Sequence, residues 1–245
     1  KGDVVSALER FDAADPICTK HGEATGTRLM DRAALLLSVG VHNEARVLAQ
    51  GARDELDRMG QVAELVESEI LLAQISMAER DHHDAIKHAR IARTLAHRQH
   101  RHTWALRAKH LELLASGSSP QQARGAVRQA ERVANDLEAA HWIEAATEAR
   151  LAAAQLALAR GMTARAIRIM SGVRSKLGPR SAPTLLVRKW HVEALIREQR
   201  GDAAGAARAV RTGLGALARH RASLGASDLQ AHVPVLGEDL AQLGM

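Results

Sequence analysis

Closely spaced histidine and aspartate side chains first suggest metal chemistry. The stretch DHHDAIKH places Asp84 and His88 four residues apart, so a helix would present both on one face, a spacing suited to two ligands of one cation. No glutamate is placed as in the HExxH zinc motif, and the chain has a single cysteine, Cys18. A solvated helix start explains the same residues, and we therefore predict no metal site and no cofactor.

Candidate nucleophiles are also few. The serines of LASGSSPQQ do not form a GxSxG motif, and we predict a turn there in which Ser119 caps a helix that starts at Pro120. Cys18 lies beside Lys20, a setting that can favour a reactive thiolate, but a small buried apolar role is the preferred interpretation. No phosphate-binding glycine loop follows a strand pattern. We predict that the chain is not an enzyme.

Basic residues offer a possible contact with nucleic acid. The net charge is +6 and the sequence pI is about 10.2. The segment 90–110 combines basic side chains with Trp104, a pairing that can bind phosphate and stack on a base: Arg90, Arg93, Arg98, Arg101, Arg107 and Lys109. Acidic residues are interspersed along the whole chain, which is typical of solvated helix faces. Nucleic acid is therefore not the expected partner, and direct binding through the hairpin at 90–110 stays as an alternative.

The elements that carry these residues are predicted from composition. Hydrophobic residues make up 46% of the 245-residue chain, chiefly Ala and Leu, with one Phe, no Tyr and five Pro. Ala and Leu favour helices, whereas strands favour β-branched and aromatic residues, so we predict an all-α protein. The apolar run at 33–41 is far shorter than the roughly 20 residues that span a bilayer. Together with the single cysteine, this predicts a cytoplasmic protein without a membrane segment.

A repeated cadence organises the helices. A small residue is followed by an apolar residue four positions later and by a small or apolar residue seven positions later, which places all three on one helical stripe. The cadence recurs about every 40 residues, a period typical of helical repeats. Its anchors are Ala7, Ala45, Ala85, Ala123, Ala166 and Ala206.

Glycines mark the turns between the helices, because glycine tolerates the left-handed backbone that ends many helices. Gly40, Gly117, Gly161 and Gly201 each stand shortly before an anchor. The tripeptide Arg200-Gly201-Asp202 is therefore interpreted as one of these turns rather than as a cell-adhesion motif.

The resulting layout has a lone helix, five helix pairs and a last helix. We predict the lone helix at 3–20, pairs over 26–58, 61–98, 102–136, 141–177 and 182–222, and the last helix at 227–242. The domain prediction is a repeat array over 1–222, followed over 223–245 by a capping helix or a linker to a further domain.

This unit resembles the tetratricopeptide repeat. Trp104 with Ala108, and Trp190 with Ala194, match the first helix of that motif, while Gly201-Asp202 and the cadence from Ala206 match its turn and second helix. The final proline is mostly missing, and the repeat is about 40 rather than about 34 residues long. The resemblance implies a right-handed α-α superhelix of about 11–12 antiparallel helices that acts as a non-catalytic protein–protein interaction scaffold.

The resemblance also implies which side chains line the concave groove. The family's inward-facing positions transfer to Ile70, Ala105, Leu151, Leu158, Leu195 and the predicted ligand-binding residues Glu67, Gln74, Met77, His102, Lys109, Glu112, Glu148, Gln155, Arg188, His191 and Glu198. Such a mixture of polar and apolar groups suits an extended or helical peptide.

A second resemblance concerns the tail HRASLGASDLQAHVPVLGEDLAQLGM and the stretches RFDAADPICTKHG and LMDRAALLL. These are similar to the repeat region that precedes the caspase-like CHAT domain in actinobacterial proteins. That implies the sensor or recruitment region of a larger CHAT-type protease, whose downstream catalytic domain would be a partner within the same chain. Because the chain begins with Lys1 in mid-repeat, we expect it to be a piece of a longer protein. The sensor region of a bacterial transcriptional regulator is the alternative.

Overall fold

The computed structural model describes residues 4–20, 25–116, 125–178 and 181–222, which form eleven α-helices with no β-strand among them. The predicted all-α class is therefore confirmed. Gly117, Ser119, Ala123 and the last helix predicted at 227–242 lie outside the described residues. The helices are α1 (Val4–Lys20), α2 (Gly26–Ser38), α3 (His42–Arg58), α4 (Val62–Ala78), α5 (His82–Arg98), α6 (His102–Ser116), α7 (Ala126–Ala139), α8 (Ile143–Leu158), α9 (Thr163–Arg174), α10 (Pro183–Gln199) and α11 (Ala203–Ala222).

The helices belong to two compact units, α1–α6 in unit 1 and α7–α11 in unit 2. Within each unit, every helix packs against the next one along the chain. In addition, α2 contacts α4, α4 contacts α6, and α8 contacts α10. This packing of consecutive antiparallel helices, with a second layer of contacts between alternate helices, is that of a helical-repeat solenoid.

The even-numbered helices are here called A helices and the odd-numbered ones B helices, and the A helices α4 and α8 are the most deeply buried. The A helix α8 buries residues on most of its circumference because it packs against α7, α9 and α10. The B helix α3 buries one stripe, formed by Ala45, Ala49, Ala52 and Leu56. The alanines of such stripes let neighbouring helices approach closely, which explains why a small-residue cadence identified the B helices.

The predicted cadence anchors differ in burial. Ala45, Ala85 and Ala166 are fully buried in their B helices. Ala206 is only half-buried, and its neighbour Gly205 takes the buried position instead. Gly205 lies against the Asp202 carboxylate, which accepts a hydrogen bond from its amide at 2.8 Å and occupies the space that a Cβ on Gly205 would need.

Seven turns join consecutive helices through the same hydrogen bonds. In the turn after α3, the Gly60 amide donates to the Asp57 carbonyl at 3.1 Å and the Gln61 amide donates to the Leu56 carbonyl at 2.9 Å. This is the Schellman motif, which satisfies carbonyls that the helix end leaves unpaired. Its central residue has positive φ in every turn: Gly40, Gly60, Arg80, His100, His141, Gly161 and Gly201.

The tripeptide Arg200-Gly201-Asp202 forms the last of these turns, as predicted. Gly201 has a φ of 74°, and Asp202 caps α11 through its bond to Gly205. None of the described helices combines the length and the apolarity that a membrane crossing requires.

Candidate interaction surface

The predicted groove residues of α4 form a narrow stripe on the surface of unit 1. Glu67, Gln74 and Met77 are half-buried, and their spacing of seven and three residues keeps them on one side of the helix. Ile70, which lies between them, is 5% exposed and belongs to the core of the unit. The stripe is narrow because α4 packs against α2, α3, α5 and α6.

Arg101, the residue before α6, forms a hydrogen bond with Glu67, the first side chain of this stripe. Its Nη2 donates to Glu67 Oε1 at 2.8 Å, and its Nη1 donates to the carbonyl oxygen of Ala63. The guanidinium carbon lies 4.8 Å from the centroid of the Trp104 ring. Arg101 therefore ties the first turns of α4 and α6 together. The predicted groove residue His102, at the start of α6, is exposed.

The remaining predicted residues of α6 take part in an ion-pair cluster. Glu112 is 9% exposed, and its two carboxylate oxygens contact Arg90 Nε at 3.0 Å and Arg93 Nη1 at 2.9 Å, both on α5. Lys109 Nζ lies 3.8 Å from the same carboxylate. Glu112 thus links α6 to α5 from inside the unit rather than lining an open groove. Ala105 is also buried.

The basic hairpin at 90–110 is consequently less available than its composition indicated. Arg90, Arg93 and Lys109 are directed at Glu112, and Arg101 is directed at Glu67. These two carboxylates engage four of the six basic side chains, which makes those four less available to a phosphate.

In unit 2, the stripe combines side chains from two A helices. Arg188 Nη1 on α10 donates to Glu148 Oε1 on α8 at 2.8 Å. Seven residues further along α8, Gln155 Nε2 lies 3.3 Å from His191 Nδ1 on α10. Arg188 is 46% exposed in its side chain, whereas Glu148 is 19% exposed. The structure thus brings four of the predicted residues together on one surface.

The other predicted residues of unit 2 lie apart from these four. Glu198 is exposed near the end of α10, and Leu195 is half-buried. Leu151 and Leu158 are buried in the core of the unit. Apolar lining by these two leucines, which the family positions implied, is therefore not available at the surface.

The two units share a sequence pattern along this stripe. Residues 67–74 read ESEILLAQ and residues 148–155 read EARLAAAQ, so that a Glu and a Gln recur seven residues apart at the same places in α4 and α8. In both units the Glu pairs with an arginine: Arg101, just before α6, in unit 1 and Arg188, within α10, in unit 2. A glutamate held by an arginine is therefore a feature that the two surfaces share.

A buried carboxylate that the sequence reasoning missed joins three helices of unit 1. Glu69 on α4 is 1% exposed; it accepts from Arg53 Nε on α3 at 3.0 Å, and its Oε2 lies 2.6 Å from His88 Nδ1 on α5. The hydrogen bond to Glu69 raises the pKa of Arg53. His88 Nε2 is 3.7 Å from Asp84 Oδ2. Asp84 and His88, considered above as metal ligands, thus belong to an ion-pair network, and the described residues contain no cluster of three or more groups suited to a metal.

A second buried carboxylate has the corresponding place in unit 2. Glu193 on α10 is 4% exposed and accepts from Arg174 Nε at 2.6 Å and from Arg174 Nη2 at 2.9 Å. This two-bond contact raises the pKa of Arg174. In both units an arginine near the end of a B helix thus reaches a carboxylate buried in the following A helix.

Between α7 and α8, the acidic and basic partners of this contact lie on the opposite helices. There the A helix supplies the arginine, Arg150, which contacts Glu138 and lies 3.1 Å from Asn135 Oδ1 on the B helix. Burial lowers the pKa of Arg150. The pairing of opposite charges is therefore retained although the residues have exchanged places.

No protein-family model matches the chain, and no curated protein matches it either.

Proposed function

We propose that this protein is a non-catalytic interaction scaffold, of the tetratricopeptide type, which binds a peptide or a protein segment along the exposed stripe of its A helices. The observation that carries the proposal is the cluster of Glu148, Gln155, Arg188 and His191 on unit 2. It places hydrogen-bonding groups from two helices on one surface, as recognition of an extended chain requires.

The chemistry of Arg188 supports this proposal. Its guanidinium has five N–H groups, and within the described part of the chain its side-chain hydrogen bond is the one from Nη1 to Glu148. The half-exposed side chain keeps donors for a carbonyl or carboxylate of a ligand. The pair with Glu148 meanwhile holds the arginine in place, so that little side-chain freedom is lost on binding.

The sequence resemblances support a recruitment role in a larger protein. We propose that the scaffold brings an activator or substrate to a caspase-like CHAT domain of the same polypeptide, in the cytoplasm. The gene beyond Met245 tests this point: a downstream domain with a His–Cys pair would support it. A helix-turn-helix module would instead favour the sensor region of a transcriptional regulator.

Peptide selection tests the binding function. A displayed peptide library would be selected on the immobilised chain, and the enriched peptides would be measured against Arg188→Ala, Gln155→Ala and a control. Arg168→Ala is a matched control because Arg168 is exposed on α9. We expect the A-helix variants to lose about tenfold in affinity, corresponding to about 1.4 kcal/mol, with no loss for the control. Selection of no peptide, or of peptides that all three variants bind equally, would refute the proposal.

A further inference from the structure

Helix α11, the last B helix of unit 2, carries basic charge that no acidic side chain of the described residues neutralises. Helices α9 and α11 contain no aspartate and no glutamate, whereas α7, the first B helix of the unit, contains three acidic residues: Glu131, Asp136 and Glu138. The B helices of unit 1 are mixed in charge, since α3 alone carries Glu44, Asp54, Glu55 and Asp57.

The basic residues of α9 are largely neutralised by other helices. Arg165 pairs with Glu131, Arg174 pairs with Glu193, and Lys176, just after α9, pairs with Glu138. Arg168 is exposed outside these pairs. The acidic side chains of α7 and α10 thus neutralise most of the positive charge of α9, but they form no ion pair with the described arginines of α11.

Three arginines of α11 have no such partners in the described part of the chain. Arg208, Arg211 and Arg219 are exposed, and none of them forms a side-chain ion pair or hydrogen bond within the described residues. Their spacing of three and eight residues places them within one stripe of the helix over about 16 Å, at about 1.5 Å per residue. The residues around this stripe are small, with Ala207 and Thr212 exposed and Gly215 half-buried.

Arg208, Arg211 and Arg219 are here called the α11 arginine stripe. Its chemistry favours some classes of partner over others. Protein interfaces are centred on large apolar or aromatic side chains, and single-stranded nucleic acids stack their bases on aromatic rings. The exposed large hydrophobic residues of the described chain lie on neither α9 nor α11: they are Ile17, Val47, Met59, Val62 and Ile143. Arginine guanidinium groups match phosphate oxygens with paired hydrogen bonds, and small neighbours allow a rigid backbone to approach.

We propose that the α11 arginine stripe binds the phosphate backbone of a nucleic-acid duplex without reading its sequence. The surface differs from the hairpin at 90–110, where Glu67 and Glu112 already pair with Arg90, Arg93 and Arg101. It also differs from the A-helix stripe, so peptide binding and duplex binding can fail independently.

Fluorescence anisotropy with short labelled duplexes of DNA and of RNA tests the proposal on the full chain. Three phosphate contacts predict that affinity for duplex DNA falls about 40-fold between about 50 mM and about 200 mM salt. The variant Arg208→Gln/Arg211→Gln/Arg219→Gln should abolish most of this binding. The control Arg58→Gln/Arg128→Gln/Arg132→Gln removes the same charge from exposed arginines of α3 and α7 and should retain it.

Circular dichroism would establish that both variants keep the helical content of the wild type. Absence of duplex binding at low salt would overturn the proposal, as would an equal loss in the control, which would show that net charge alone is responsible. Displacement of the duplex by polyglutamate at an equal concentration of charges would also overturn it and indicate an acidic protein surface as the partner. A preference between the DNA and RNA duplexes would identify the source of the phosphates and would support the proposal.

Discussion

Each unit buries a carboxylate in an A helix, but the two carboxylates have different partners. Glu193 in unit 2 receives both of its strong bonds from one residue, Arg174. Glu69 in unit 1 divides its oxygens between Arg53 and His88, which belong to two different helices. Because burial of an unpaired charge is costly, the number of independent partners decides how much each unit loses when one partner is removed.

The largest effect is expected from removing the sole arginine. Arg174→Ala leaves the Glu193 carboxylate buried without its paired donors, and we expect unit 2 to lose about 3 kcal/mol of unfolding free energy. Urea unfolding of a Trp104→Phe background would report on unit 2 through Trp142 and Trp190. The exposed Arg168→Ala should change stability by less than about 0.5 kcal/mol. An equally small loss for Arg174→Ala would show that Glu193 is satisfied by solvent.

Removing the corresponding arginine of unit 1 should have a smaller effect. After Arg53→Ala, the Glu69 carboxylate keeps its contact with His88, and we expect a loss of about 1–2 kcal/mol. Unit 1 is followed through Trp104 after Trp142→Phe and Trp190→Phe. The double variant Arg53→Ala/His88→Ala should then lose more than the sum of the two single variants, because only the double variant leaves Glu69 without a partner. Additive losses would refute this shared-partner explanation.

The turns offer a third contrast, between histidine and glycine at the same backbone position. His141 and Gly161 flank α8, with φ of 63° and 68°. His141→Gly should stabilise unit 2 by about 1 kcal/mol, and Gly161→Ala should destabilise it by about the same amount, because a Cβ is unfavourable in the left-handed region. No atom lies within 4 Å of a Cβ built on Gly161, so the backbone alone causes the expected loss. Unfolding midpoints in urea measure both, and changes of the same sign would contradict the explanation.

The smallest effect concerns Glu55, which holds the start of α2 in unit 1. The Thr25 amide donates to Glu55 Oε1 at 3.0 Å, and the Thr25 hydroxyl donates to Oε2. The hydroxyl bond is the main reason why the pKa of Glu55 lies below its usual value of 4.5. A lowered carboxyl pKa adds stability above the usual value, and this contribution disappears as the pH falls through the folded pKa.

Glu55→Gln should therefore lower the stability of unit 1 slightly at neutral pH and flatten its loss of stability on acidification below a pH of about 4.5. Urea midpoints of unit 1 at a series of pH values measure this slope. Glu44→Gln, at an exposed position of α3, should retain the slope of the wild type. Parallel curves for Glu55→Gln and the wild type would show that Thr25 does not perturb this carboxyl group.

Much of the helical layout follows from the sequence, because helix-forming residues alternate with turns at a regular interval. The predicted pair at 61–98 contains α4 and α5, and the predicted pair at 182–222 contains α10 and α11, within about two residues at each end. Glycine revealed the turns at Gly40, Gly161 and Gly201. It could not reveal those at Arg80, His100 and His141, where the hydrogen-bonded turn imposes a positive φ on residues that do not favour it.

The side-chain pairings were less accessible to sequence reasoning. Charged residues in helices were interpreted as solvated, and nothing in their local context distinguishes Glu69, Glu112 or Glu193 from an exposed glutamate. The signal that could identify a paired glutamate is its separation along the sequence from an arginine. Arg53, Arg90 and Arg174 precede these three carboxylates by 16, 22 and 19 residues. Such separations become meaningful only after the helix length and the turn are known.

The seven identical turns bear on how a gene for this protein can change its length. Gly60 and His100 occupy the same place in two turns 40 residues apart, and the residues that follow them, Gln61 and Arg101, both begin the next helix in the same way. A deletion of residues 61–100 would join Gly60 to Arg101 and recreate an intact turn. Whole hairpins can therefore be lost or duplicated by recombination without a new junction having to evolve, whereas a shift of one residue would rotate every later side chain by about 100°.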